Sequence, residues 1–214
     1  MRVVEIFKSI DGEGVRVGYP VTFIRLEGCN LRCSYCDTKY SYDDAEYTEM
    51  SVDDILMEVV NLHCNRITIT GGEPLYHEDI YTLVDNLCDA GYEVNIETNG
   101  SILLAWSVIR ENTIITMDWK CKGSGMTSEM CKDNLKRLRR KDVIKFVVSS
   151  EEDLNQARKL MIYSGCKAQV FISPVFGKIE PKEIVEYILS HGENDWRVQV
   201  QLHKIIWDPE KRGV

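Results

Sequence analysis

No stretch of the chain is apolar for long enough to cross a bilayer. The longest unbroken run, 102–106 (ILLAW), is far shorter than the ~20 residues a spanning helix takes. An excess of positive charge is also missing: 26 Lys and Arg stand against 34 Asp and Glu, giving −8. Without the phosphate attraction that dominates non-specific nucleic-acid and membrane-surface binding, neither partner is expected. The one dense basic run, Lys136 to Lys141 (KRLRRK), is expected to face water at a helix end, where cations complement the dipole. The N-terminal residues lack a secretory core region, because Glu5, Lys8 and Asp11 interrupt it, so a cytoplasmic location is expected. No internal repeat, low-complexity stretch or linker-like shift breaks the chain, which predicts a single domain over 1–214. A disulfide framework is not expected either, since at 214 residues a full core forms without staples.

What is present is alternation. β-rich runs at 21–27, 66–70, 92–97, 113–117, 143–148, 169–172 and 197–202 are separated by helical or turn-forming stretches, and 3–7 adds a further candidate strand. Helices are predicted over 52–62, 78–90, 102–110, 128–140, 151–164 and 182–190, the first opened by Ser51 with Asp54 as a capping box. This order implies a parallel sheet with helices outside it. The length falls short of the ~250 residues of a full eight-unit barrel. No glycine fingerprint follows the first long strand, which weakens a dinucleotide fold. An α/β, partial (open) parallel barrel is the better fit.

Six of the seven strands end in unusual chemistry. The segments are Gly28 to Thr38 with Cys29, Cys33 and Cys36, then Gly71-Gly72-Glu73-Pro74, Glu97-Thr98-Asn99-Gly100, Asp118-Trp119-Lys120, Ser173-Pro174 and His203-Lys204. Any one of these reads as a turn. Six at C-terminal strand ends form one surface, where parallel α/β folds place their active sites.

The sharpest signal is C-x3-C-x2-C in one loop, while Cys64, Cys88, Cys121, Cys131 and Cys166 are scattered as buried thiols. A structural zinc site needs four closed ligands, and no fourth Cys or His stands nearby. Three cysteines on an iron–sulfur cubane leave one iron open for a small molecule, and that reading agrees with the rest of the surface.

The cysteine motif with Tyr35 before its last member, followed by GGEP, resembles the radical S-adenosylmethionine superfamily over nearly the whole chain. The resemblance implies a [4Fe–4S] cluster on Cys29, Cys33 and Cys36. It implies S-adenosylmethionine held by Tyr35, Cys36, Asp37, Gly72, Glu73, Glu97, Asn99, Asp118 and Lys120. Gly72 is expected to lie against the methionine moiety, and Glu73 to accept from its ammonium. Within the superfamily, Glu5-Ile6-Phe7, the segment 9–14 (SIDGEG), Phe23-Ile24-Arg25-Leu26, Cys36-Asp37-Thr38 and Gln201-Leu202-His203-Lys204 are similar to the 7-carboxy-7-deazaguanine synthase family. That implies radical ring contraction of 6-carboxytetrahydropterin with loss of ammonia. It implies magnesium at Thr38, pterin contacts at Ile10, Asp11, Gly12 and Thr70, and Arg25 and His203 at the substrate as catalytic groups. It also implies an electron donor such as flavodoxin or ferredoxin, and a homodimer. Asp11 stands where many members have Gln, and Asp118-Trp119-Lys120 where many have Ser-Pro-Lys. The Asp-x-Lys triplet is reminiscent of glycyl-radical-enzyme activases, the alternative enzyme; a non-catalytic iron–sulfur protein is the alternative outside catalysis.

Overall fold

The alternation in the sequence folds into one nine-stranded sheet in the computed structural model, which describes every residue except 210. Strand β1 (Arg2–Ile10) forms an antiparallel hairpin with β2 (Pro20–Leu26), and β3 (Thr48–Glu49) pairs on the outer edge of β1. From β2 onward the sheet is parallel: β4 (Arg66–Gly71), β5 (Glu93–Thr98), β6 (Thr113–Trp119), β7 (Val143–Val148), β8 (Gln169–Pro174) and β9 (Trp196–Val198) follow in order. The edge strands β3 and β9 are at opposite ends of the sheet, so the barrel is open, as expected.

The helices are α1 (Val52–Asn61), α2 (Ile80–Asp89), α3 (Glu151–Ser164), α4 (Pro181–His191) and a last turn, α5 (His203–Ile206). Their ends follow from local chemistry. Ser51 and Asp54 close a reciprocal capping box on α1, Ser150 caps α3, and Gly165 and Gly192 stop α3 and α4 at φ 65° and 68°. No helix of the described residues is long and apolar enough to cross a membrane.

The two faces of the sheet divide the labour. Outward residues Ile67, Ile69, Val94, Ile96, Ile115, Met117, Ile144 and Phe146 are fully buried within the hydrophobic core cluster, which also takes in residues of the outer helices. Each such side chain contributes roughly 1.5–3 kcal/mol by leaving water. The alternate residues are polar: Thr68 and Thr70 on β4, Asn95 and Glu97 on β5, Thr116 and Asp118 on β6, Lys145 on β7. They line the lumen.

Two expected helices are absent. Residues 102–110 carry only a 3-10 turn, Trp106–Val108, because the buried Asn134 side chain pins the segment. Its amide donates to the carbonyls of Gly100 and Ile102 and its oxygen accepts from Leu104 N–H at 2.8 Å. Residues 128–140 form two short 3-10 turns instead of a polar helix. The basic run is not a solvated helix end. Arg139 grips both carboxylate oxygens of buried Asp142 at 2.8 Å and the carbonyls of Arg110 and Thr113, and Arg137 donates to Leu104 O. These guanidinium groups satisfy backbone carbonyls of the 104–113 segment.

Candidate active site

The loop after β2 carries the three clustered cysteines and is fastened at several points. Gly28 N–H donates to Ser41 O at 2.8 Å, Ser34 N–H to Ser124 O at 3.0 Å, and Tyr35 O–H to Val147 O at 3.1 Å. Cys29, Cys33 and Cys36 are free thiols bordering one cavity. Burial raises the Cys29 and Cys33 thiols, with Lys120 partly offsetting this at Cys33, so binding as thiolates calls for a strong local cation. Among the described residues no group of three His, Cys, Asp or Glu side chains converges on a point that one metal ion would fill. Three thiols around a shared space suit a polynuclear cluster better than closed zinc.

A Cβ at either glycine of GGEP would meet protein, so the close approach that demands glycine here is between backbone segments. A Cβ on Gly72 would stand 2.0 Å from Gly28 O and 2.9 Å from Cys29 Cβ. A Cβ on Gly71, at φ 136°, would stand 2.1 Å from Leu26 O. The strand end therefore lies directly against the cluster loop, and Glu73 N–H donates to Gly28 O at 2.8 Å. Both glycines still face the cavity with their backbone.

Glu73 departs from its expected contact. It is fully buried, and its carboxylate accepts from Leu75 N–H at 3.0 Å, Thr98 O–H at 2.8 Å and Asn99 N–H at 2.6 Å. Burial pushes its carboxyl up, and these donors pull it back. It joins the ends of β4 and β5 and does not line the cavity. Asn99 does line it: its Nδ2 donates to Asn30 Oδ1 at 3.1 Å and lies 3.7 Å from Cys29 Sγ.

The cavity has a volume of about 1150 Å³, room for more than one small molecule. One wall holds Thr70, whose hydroxyl donates to Glu97 at 2.8 Å, and Asp118, whose Oδ2 is 2.9 Å from Lys120 Nζ. Near the cluster loop, Thr38 O–H donates to Asp37 at 3.0 Å, and Lys204 pairs with Asp37 at 2.7 Å. Burial would raise the Asp37 carboxyl, but Lys204 and the hydrogen bonds outweigh it and hold it at about 2.

The floor comes from the hairpin. Because β1 runs against β2, the segment after Ile10 lands at the opposite end of the lumen from the cysteines. Ile10, Gly12 and Glu13 reach the cavity, together with Phe7, Phe23 and Arg25. Arg25 Nε pairs with Glu5 at 2.7 Å. Gly12 O accepts from Leu202 N–H at 3.0 Å, and a Cβ on Gly12 would stand 2.3 Å from His203 Nδ1. The C-terminal His203 is thereby brought onto the floor, where burial lowers its imidazole and favours the neutral ring.

Asp11 can offer a pterin only its backbone. Its side chain turns away from the cavity and is buried with Arg16 at 2.9 Å and the Thr68 hydroxyl at 2.8 Å. Arg16 extends the plug to the carbonyls of Ile67 and Glu93 at the start of β4 and β5. Sequence reasoning missed Arg16, Glu13 as a cavity residue, and Lys145. A lysine inside the otherwise apolar strand VIKFVV was the signal for the last of these.

The arrangement has close counterparts. Residues 23–114 match the Radical SAM superfamily. A 7-carboxy-7-deazaguanine synthase of Clostridium acetobutylicum is 44% identical, covering all of this chain and 99% of its own. The chain belongs to the 7-carboxy-7-deazaguanine synthase family. A synthase from Methanospirillum hungatei is 40% identical over 98% of this chain and 86% of its own. The crystal structure of QueE from Escherichia coli superposes with a TM-score of 0.78 at 25% identity, over 94% of each chain.

A radical S-adenosylmethionine enzyme of this family carries a [4Fe–4S] cluster and S-adenosylmethionine, and the residues present fit both. Three free cysteine thiols supply the soft donors that iron–sulfur clusters take. Beside them, the backbone of Gly71-Gly72 and the Glu97, Asn99 and Asp118 side chains offer acceptors for an amino acid and a ribose. Asp118 Oδ1 is buried without a partner among the described residues, an acceptor still to be satisfied.

Proposed function

We propose that the chain converts 6-carboxytetrahydropterin to 7-carboxy-7-deazaguanine with loss of ammonia, and that the two ends of one lumen divide the work. The observation that carries this is the closed floor. Gly12 and Glu13, clasped to residues 199–203 by paired Gly14–Gln199 and Gly12–Leu202 hydrogen bonds, shape a bounded pocket opposite the cysteines. An activase acting on a protein glycine needs a groove open to a polypeptide, and a simple electron carrier needs no such floor.

The cluster and S-adenosylmethionine, when bound, supply one-electron cleavage of the sulfonium and a 5′-deoxyadenosyl radical able to take hydrogen from C6 of the pterin. The protein's own groups do the positioning. Cys29, Cys33 and Cys36 would hold the cluster, and Tyr35, Cys36, Asp37, Gly72, Glu97, Asn99, Asp118 and Lys120 border the space for S-adenosylmethionine. Glu73 acts at one remove, by fixing Asn99. At the floor, the Ile10 and Gly12 backbone can meet the pterin edge. The Arg25 guanidinium and neutral His203 can hold the substrate carboxylate. Thr70 is tied to Glu97 and borders the same space.

Magnesium would complete the site. Thr38 offers a hard oxygen beside the cluster loop, which suits a magnesium that also takes the substrate carboxylate and water. An external one-electron donor, of the flavodoxin or ferredoxin kind, is required by the chemistry, and we place the activity in the cytoplasm, in a homodimer. The test is direct. Reconstituted and chemically reduced protein, incubated anaerobically with carboxytetrahydropterin and S-adenosylmethionine, should yield the deazaguanine chromophore and 5′-deoxyadenosine. Cleavage of S-adenosylmethionine with turnover only on a protein glycine would favour the activase.

A further inference from the structure

Strand β7 reads Val143-Ile144-Lys145-Phe146-Val147-Val148, and every residue in it is buried. A lysine there must lose its hydration, and it does so only if counter-charges replace the water. Two do. Lys145 Nζ is 2.8 Å from Glu13 Oε2 and 3.7 Å from Asp118 Oδ2, and Asp118 Oδ2 is itself 2.9 Å from Lys120 Nζ. Lys120 in turn lies 6.0 Å from the centre of the Tyr35 ring, on the cluster loop. Acid, base, acid and base therefore alternate from the floor of the cavity to the loop that carries the cysteines.

The chain of charges is incomplete in one respect. Glu13 Oε1 and Asp118 Oδ1 are both buried with no hydrogen-bond partner among the described residues. A salt bridge whose only task was to hold the fold would be expected to satisfy both oxygens of each carboxylate. Here the loose oxygens sit at the two ends of the Lys145 link, one on the substrate floor and one on the cofactor wall. Lys145 is not a plausible base in this setting: burial disfavours its charge, but Glu13 and Asp118 outweigh burial and keep it protonated.

We propose that Lys145 is a positioning residue that couples occupancy of the pterin floor to binding of S-adenosylmethionine. The proposal rests on the functional reading above. One ammonium shared by two carboxylates cannot relax toward either without loosening the other. Donors of a bound pterin that fix Glu13 fix Lys145 with it, and hence Asp118 and Lys120. S-adenosylmethionine then meets a wall already in its bound arrangement, and linkage makes the effect reciprocal.

Calorimetry on the anaerobic, cluster-loaded, unreduced protein tests this without turnover. S-adenosylmethionine is titrated with and without saturating carboxytetrahydropterin. For the wild type, the pterin should tighten S-adenosylmethionine about fivefold or more, the lower range of ordinary coupling. Lys145→Met should bring the ratio to about one. Because that variant leaves the buried Glu13 carboxylate without its counter-charge, while Asp118 keeps Lys120, Glu13→Gln is the second arm. It keeps the shape, removes only the floor charge, and should lose the coupling with the cluster content retained. A wild-type ratio near one, or full coupling in either loaded variant, overturns the proposal. Failure of the wild type to bind the pterin at all is a separate outcome, which removes the functional reading and this inference together.

Discussion

The Glu73 carboxylate accepts the backbone N–H of Asn99 at 2.6 Å, so the loops ending β4 and β5 are tied together. Glu73 also takes Thr98 O–H and Leu75 N–H, all within a fully buried site. Replacing it with Gln turns one acceptor oxygen into a donor that faces another donor. The expected cost is about 1–3 kcal/mol of stability, read as a lower melting temperature of the cluster-loaded protein. Weakened S-adenosylmethionine binding should accompany the drop, through Asn99. A variant that melts like the wild type and loses only S-adenosylmethionine affinity would restore Glu73 as a direct ligand contact.

Gly72→Ala should damage the cluster loop before it damages cofactor affinity. The new methyl would stand 2.0 Å from Gly28 O, a backbone atom that has no rotamer to escape into. Overpacking of this kind costs typically 1–3 kcal/mol or more. Iron content after reconstitution should therefore fall. Full iron content with weaker S-adenosylmethionine binding would place the clash in the ligand space instead.

The cysteines divide by surroundings. Cys29 borders the cavity, whereas Cys121 is wholly buried and its Sγ lies 3.7 Å from Asp153 O. Cys29→Ala should remove the brown chromophore, and Cys88→Ala, on the buried face of α2, should keep it. Iron and sulfide assays with electron paramagnetic resonance after reduction check both. A complete cluster in Cys29→Ala sinks the ligand assignment.

These contrasts show what could be read from the sequence. The seven parallel strands and the shared rim were legible because β-rich periods alternate with helix signals, and because chemistry recurs at strand ends. The crossovers at 102–110 and 128–140 were not. Their conformation depends on Asn134, Arg137 and Arg139 reaching carbonyls distant in sequence, which no local period reveals. Most residues expected at the cavity border it, but the side chains of Glu73 on the rim and Asp11 on the floor turn into the protein. Lys145 was passed over because no motif surrounds it.

Asp11 predicts a pH dependence of stability. Burial is the largest effect on its carboxyl and, against the pull of Arg16, raises it from 3.8 to about 6. A carboxyl raised in the folded state favours folding while protonated, and that contribution is lost as pH rises through about 6. The size is on the order of 3 kcal/mol. The stability of the wild type relative to Asp11→Asn should therefore decline between pH 4 and 7, measured by denaturant unfolding. A difference that is flat or rises over that window contradicts the assignment.

The last prediction separates two roles for Thr38. Its hydroxyl donates to Asp37 at 3.0 Å, and Asp37 holds Lys204 at 2.7 Å, next to His203. Loss of the hydroxyl could therefore act through a magnesium or through the Asp37–Lys204 tie. On the magnesium role, turnover needs added divalent metal, and Thr38→Ala slows ring contraction by around 100-fold, the cost of misplacing a reactant by near 1 Å. Uncoupled 5′-deoxyadenosine formation should fall less, because it requires only cluster, electron and S-adenosylmethionine. Asp37→Asn supplies the contrast: it weakens the tie to Lys204 and leaves the Thr38 oxygen in place, so its turnover should keep the wild-type metal requirement. Wild-type turnover that ignores chelators, with Asp37→Asn as impaired as Thr38→Ala, would falsify the magnesium role and leave Thr38 as a support for the C-terminal segment that carries His203.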